Sequence, residues 1–142
     1  MHCKHAFALA ALAAAAASFA ACAGAGPTPA ERARARLEAV AEAHADEEAF
    51  TLRLNPALCD CPEFEVLLAD TWQRVFLEPK DPEGPAESAR ALLTGTPGKD
   101  PPATIRVSGR LSKSTRMAGN RAPCLVLKVL LACGREGCKP AE

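Results

Sequence analysis

The chain has no tyrosine, one tryptophan and five phenylalanines in 142 residues. Beyond residue 21 the aromatic set is Phe50, Phe64, Trp72 and Phe76. A nucleic-acid platform needs a succession of rings on which bases stack, so no nucleic-acid partner is expected, and Trp72 reads as a core or edge aromatic. Histidine is as scarce: His2 and His5 stand at the very start, which leaves His44 alone. Nucleophilic catalysis needs a partnered base, and neither a G-x-S-x-G elbow nor a metalloprotease motif occurs. Asp60, Glu63 and Glu65 cluster, but Glu63 and Glu65 on one face of a strand are what any solvated pair looks like. The expectation is a protein that is not an enzyme and carries no cofactor. The apolar run over residues 6–21 is also short, 16 residues against about 20 needed for a spanning helix, which makes an uncleaved anchor the second-best reading.

What that run does fit is export. A polar start with Lys4, an apolar stretch built from Ala with Phe7, Leu9, Leu12 and Phe19, and a small-residue exit are the three parts of a secretory signal. The exit reads Phe19-Ala20-Ala21-Cys22. It resembles the lipobox of bacterial lipoproteins, with Phe19 where that family usually has Leu. The resemblance implies diacylation of the Cys22 thiol, cleavage before it and acylation of the new amino group, which together hold a protein stably on a membrane. Ala23 in place of Asp resembles the pattern of lipoproteins of the outer membrane, facing the periplasm. The alternative is ordinary cleavage at Ala21-Cys22-Ala23, giving a soluble secreted or periplasmic protein. The divisions are a signal over residues 1–21, a tether over 22–27, a helical spacer over 28–46 and a small β-rich domain over 50–139.

Cysteines stand at positions 3, 22, 59, 61, 124, 133 and 138. In an exported chain they are expected to form disulfides. Cys133 and Cys138 flank a loop with two glycines and are expected to pair. Cys59 and Cys61 look too close to pair comfortably with each other, so one of them, Cys61, is expected to join Cys124. The alternative is a thiol-based redox or metal-binding protein using Cys59 and Cys61. Against it, Cys59-x-Cys61 with Cys133-x4-Cys138 lacks the usual zinc spacing, and redox motifs place two residues between the sulfurs; no metal is expected.

Charge is balanced overall but not along the chain. Residues 38–102 hold 14 acidic and 5 basic side chains, whereas residues 103–142 hold 2 acidic and 8 basic ones. One reading is a basic patch for an anionic envelope component or a protein partner, built from Arg106, Arg110, Lys113, Arg116 and Arg121. The other is that acidic and basic strands lie side by side and neutralise each other.

Periodicity supplies the elements. Thr28-Pro29-Ala30-Glu31 has the form of a capping box with Pro at the first helical position. It predicts a helix to about Ala45, with Ala33, Leu37, Val40, Ala41 and His44 on one side. Strict alternation predicts strands over residues 50–55 and 64–68, joined by a short link to a third over 72–77. Residues 78–102 hold six prolines and three glycines, with a short helix predicted over 85–93 that turns Ala89, Leu92 and Leu93 inward. Residues 104–111 form a fourth strand whose Gly109 permits a bend or bulge. Residues 112–123 read as a polar loop. Residues 124–133, apolar on both faces except Lys128, read as a central strand. From residue 50 to 133 this order, with a glycine inside the fourth strand, resembles an OB-fold, a five-stranded barrel with a helix between its third and fourth strands. The expected class is α+β, β-rich: a small OB-like barrel or sheet preceded by a helix. On such a scaffold the sequence points to a membrane-anchored binding or structural module of the cell envelope.

Overall fold

The computed structural model describes residues 26–95 and 97–134. The order is α1 (Pro29–Ala43), β1 (Ala49–Leu54), β2 (Phe64–Leu68), β3 (Thr71–Glu78), α2 (Pro85–Thr94), β4 (Ile105–Leu111), β5 (Arg116–Met117) and β6 (Pro123–Gly134). Five strands in the order β3-β2-β1-β4-β6 close into a barrel, because β3 also pairs in parallel with β6, and β5 adds a two-residue strand to the edge of β6. The expected β-rich, helix-preceded barrel is the fold of the protein.

Local chemistry accounts for the elements. Thr28 caps α1: its hydroxyl accepts from the Glu31 N–H at 3.2 Å, and its own N–H donates to the Glu31 carboxylate at 2.6 Å. These bonds hold the Glu31 carboxyl below its usual pKa, as hydrogen bonding to a charged form does. One stripe of α1 meets the barrel, with Ala41 buried and Leu37 and Val40 partly so. His44 caps the helix end and pairs with Glu47 at 2.6 Å. The β2–β3 turn is two residues, Ala69 and Asp70, both at positive φ (45° and 63°), the conformation that matches strand twist in tight hairpins. In α2, Ala86, Ala89 and Leu93 are buried. Leu92 departs from expectation and is 38 % exposed, because the inward row of this helix runs through residues 86, 89 and 93 at steps of three and four.

The core is aliphatic with two rings. Phe50, Leu52, Phe64, Val66, Val75, Leu77, Ile105, Val107, Leu125, Leu127 and Val129 alternate inward around the barrel. No buried polar or charged residue interrupts them among the described residues. Val126 and Cys124 are buried as well, which explains why the first part of β6 is apolar on both faces: its outward side is covered there.

Gly109 has the role its position suggests. The register between β4 and β6 shifts between Ser108 and Gly109, the signature of a bulge. A Cβ at Gly109 would stand 2.5 Å from the Lys128 carbonyl oxygen. The unforeseen element is β5, inside the segment read as loop. A two-residue strand is too short for alternation to register. We expect Gly109→Ala to destabilise the barrel by about 1–3 kcal/mol through this clash, read as a lower urea midpoint with an unchanged m-value.

Candidate functional site

The most constrained surface feature is the segment between β1 and β2. The Asn55 side chain sits at its centre. Its amide donates to the Pro62 carbonyl at 2.9 Å and lies 3.3 Å from the Cys61 sulfur, and its oxygen accepts from the Ala57 N–H at 3.0 Å. The Asn55 N–H donates to the Glu63 carbonyl at 2.7 Å. Cys59 and Cys61 are joined by a disulfide with their Cα atoms 5.2 Å apart. Asp60 packs against the β5–β6 turn: its carbonyl accepts from the Asn120 N–H at 3.1 Å, and its carboxylate leaves no room for a Cβ at Gly119. Outward from this base, Pro56, Ala57, Leu58 and Cys59 are all exposed, Leu58 completely.

This geometry corrects the expected cysteine pairing. Cys61 is bonded to Cys59 and not to Cys124, which is free and buried. The bend at Asp60 brings the two Cα atoms within the ordinary disulfide range, whereas Cys61 and Cys124 border two different cavities. The expected Cys133–Cys138 bridge and the lipidation site Cys22 involve residues outside those described, since neither Cys138 nor Cys22 is among them.

Three of the five basic positions are paired with carboxylates. Arg110 lies 3.5 Å from Glu48, Lys113 3.2 Å from Glu42, and Arg116 bonds Glu78. Each of these three cations from the basic end of the chain thus meets a carboxylate from the acidic end. Arg106 on β4 and Arg121 in the β5–β6 turn have no carboxylate partner among the described residues, and the same holds for Lys128 on β6. Across the strands Arg110 stands opposite Lys128, and Lys128 is registered beside Glu78. Arg110 and Lys128 therefore share a row with Glu78, and Glu78 is already engaged by Arg116 reaching over from β5. Between this row and Arg106, Leu131 is registered opposite Ser108, and Leu130 and Leu131 are each 52 % exposed. The bulge at Ser108 and Gly109 explains why two consecutive leucines face solvent. A run apolar on both faces reads as a strand buried on both sides, so neither leucine was legible as a surface residue.

Three of the four aromatics, Phe64, Trp72 and Phe76, are covered by arginine–carboxylate pairs. Arg53 lies 4.2 Å from the Trp72 ring centre and bonds Glu65 at 2.6 Å. Arg116 lies 5.3 Å from Phe76 while bonding Glu78. Arg90 lies 5.5 Å from Phe64 and bonds Glu63 at 2.6 Å and Glu87 at 3.1 Å. Trp72 is accordingly a capped edge aromatic, and the Glu63 and Glu65 carboxylates are each held by an arginine. Both are structural assignments.

Two cavities stand out among the described residues. A groove of about 510 Å³ runs between β3 and α2, walled by Phe64, Phe76, Leu77 and Pro82 with Arg90 at its rim. A smaller one of about 370 Å³ lies where α1 meets the barrel, bordered by Leu37, Trp72, Arg74 and Cys124. Burial pushes the Cys124 thiol up from its usual pKa, with nearby Arg74 opposing, so at neutral pH it is a protonated, poorly nucleophilic core group. Among the described residues no three His, Cys, Asp or Glu side chains gather as a metal would require.

Two outcomes follow for the cysteines. Tryptic digestion of the unreduced protein should release residues 54–74 as one peptide two hydrogens lighter than its reduced form. A cross-link between that peptide and the one carrying Cys124 would contradict the structure. Because the folded state raises the Cys124 pKa, its contribution to stability is full below the usual thiol pKa and is lost as pH rises through the raised value. Replacing Cys124 with Ala should flatten the fall in unfolding free energy between neutral pH and about pH 10, which is above the thiol reference value.

Set against known proteins, the chain matches no family, no curated protein and no solved structure.

Proposed function

We propose that this chain is an exported lipoprotein whose small barrel serves as a non-enzymatic binding or structural module of the bacterial cell envelope. The export signal and Cys22 supply the address, α1 supplies a spacer, and a disulfide-stapled barrel supplies a rigid head. The anionic component it meets lies against the outer face of β4 and β6. The observation that carries this is the cation row. Arg110 and Lys128 stand directly across from each other, an arrangement that is unfavourable for like charges. Glu48, exposed and 3.5 Å from Arg110, neutralises it only weakly. Arg106 extends the same face, and Leu130 and Leu131 supply apolar contact between the charges. A negatively charged surface relieves the repulsion and covers the leucines.

The basic face is therefore narrower than the linear cluster of charges suggests. Lys113 and Arg116 are engaged by Glu42 and Glu78. Arg121 lies away from this face, in the β5–β6 turn. The alternative that Cys59 and Cys61 work as thiols is not favoured, because their sulfurs are joined to each other.

Two measurements test the reading. The intact mass of the protein from its native membrane should begin at Cys22 and include three acyl chains, and an unacylated chain would overturn the anchor. The mature protein should be retained on isolated sacculi or lipopolysaccharide at low salt and released near 1 M, where the screening length falls to about 3 Å. The double substitution Arg106→Ala, Lys128→Ala should weaken retention by roughly 2 kcal/mol, at about 1 kcal/mol per cation near an anionic surface. Retention unchanged by salt and by both substitutions would remove the proposed face.

A further inference from the structure

The segment over residues 55–62 is held from several sides, yet nothing in the described structure uses what it presents. A disulfide, the Asn55 hub and the Asp60 contact with Gly119 and Asn120 fix its base. Its outer end is Pro56, Ala57, Leu58 and Cys59, an uncharged stretch that is exposed throughout. Single exposed leucines are ordinary on a protein surface. A fully exposed leucine at the tip of a segment denied its freedom is a different case, because ordering a segment in advance removes a cost that would otherwise be met on binding.

What the tip meets follows from where the proposed anchor stands in the chain. Near the end of α1, Glu42 pairs with Lys113 at 3.2 Å. Toward its start, Arg34 donates to Thr115 at 3.2 Å, and Leu37 shares a cavity wall with Ala122 and Pro123. The start of α1 thus lies on the side of the β5–β6 hairpin, and the turn of that hairpin holds the segment carrying Leu58. Cys22 precedes the helix cap at Thr28 by six residues, which reach at most about 20 Å when extended. Resting on the lipid-anchor reading above, we infer that Leu58 and its neighbours enter the interfacial layer of the membrane that holds the anchor.

The charges agree with a lipid occupant. Residues 56–59 carry none, and the one acid in the segment, Asp60, is turned back onto Gly119. Beside it Arg121, held at φ 61° in the turn, has no carboxylate partner among the described residues and is free to meet a phosphate headgroup. Met117, 48 % exposed, lies just before the same turn. An apolar tip bordered by a cation is the pattern of an interfacial contact. The insertion orients the barrel on its tether, so that the β4–β6 face is presented at a fixed attitude to the bilayer.

The test uses the acylated protein carrying Leu58→Trp, a change at a solvent-facing position, on vesicles of phosphatidylethanolamine and phosphatidylglycerol. The expected result is a blue-shifted emission from position 58, quenched by lipids brominated on their acyl chains, after subtraction of the Trp72 signal measured in the unsubstituted protein. Arg121→Ala should reduce the dependence of that quenching on phosphatidylglycerol. In the unacylated Cys22→Ser protein, Leu58→Asp should lower vesicle partitioning about tenfold, the scale of losing one buried leucine side chain. Acylated protein bound to vesicles with position 58 unshifted and unquenched overturns the inference and leaves the anchor standing. A native mass without acyl chains overturns the anchor instead. Vesicle partitioning of the unacylated protein then decides the tip by itself, the tenfold loss with Leu58→Asp sustaining it and an unchanged partition overturning it.

Discussion

The barrel closes on four residue pairs. Val75, Phe76, Leu77 and Glu78 of β3 lie beside Leu125, Val126, Leu127 and Lys128 of β6 in parallel register, and without that seam the strands would form an open, curved sheet. Closure removes most of the exposed edge that such a sheet presents to other chains. It also completes the core, because Val75, Leu77, Leu125 and Leu127 come together only there. Partners some 50 residues apart in the chain must find each other against a loop-closure cost. The seam and the β1–β4 pairing, whose partners Phe50 and Val107 are as widely separated, are thus the non-local contacts of the barrel, the kind that slows folding.

The same seam arranges the charges. The acidic and basic halves of the sequence are held in contact where β3 meets β6, and Glu78 finds itself beside Lys128 and within reach of Arg116. At the other side of β4, Glu48 approaches Arg110, and Glu42 approaches Lys113 from α1. The linear asymmetry of charge is in large part the recipe for a neutral folded surface. The neutralisation stops on the outer face of β4 and β6, where the cations outnumber the carboxylates that reach them. Exposed pairs of this kind contribute little stability singly, so the balance matters for what the surface attracts more than for how firmly it folds.

How much of this the chain disclosed depends on the range over which each feature is specified. Alternation in residues 50–55 and 64–68 and the capping box at Thr28 are local, and the matching strands and helix lie where those patterns put them. The order of elements with Gly109 inside the fourth strand pointed to the barrel, since a glycine there answers to the close approach of the Lys128 carbonyl. The features that escaped depend on tertiary detail. Leu130 and Leu131 are exposed because a bulge breaks the alternation. Arg53, Arg90 and Arg116 are committed to rings and carboxylates that no spacing rule connects to them. The stapled segment was misread for the same reason: whether Cys59 can reach Cys61 is decided by the bend at Asp60, and that bend depends on contacts with Gly119 and Asn120 far along the chain.

The position of that disulfide says what kind of constraint it supplies. A cross-link stabilises a fold in proportion to the loop it closes in the unfolded chain, and a bridge over one intervening residue closes almost none. A bond from Cys61 to Cys124 would have tied distant parts of the barrel together, yet Cys124 is left as a neutral thiol in the packing beneath α1. Global stability is carried by the aliphatic core and the β3–β6 seam instead. The covalent constraint is confined to a short surface segment, where with Asn55 and Asp60 it sets the direction of the apolar tip. A bond that contributes so little to the stability of the whole is explained by the shape it preserves. That shape is the one that carries Leu58 outward beside the β5–β6 turn, where the Asp60 carbonyl meets the Asn120 N–H.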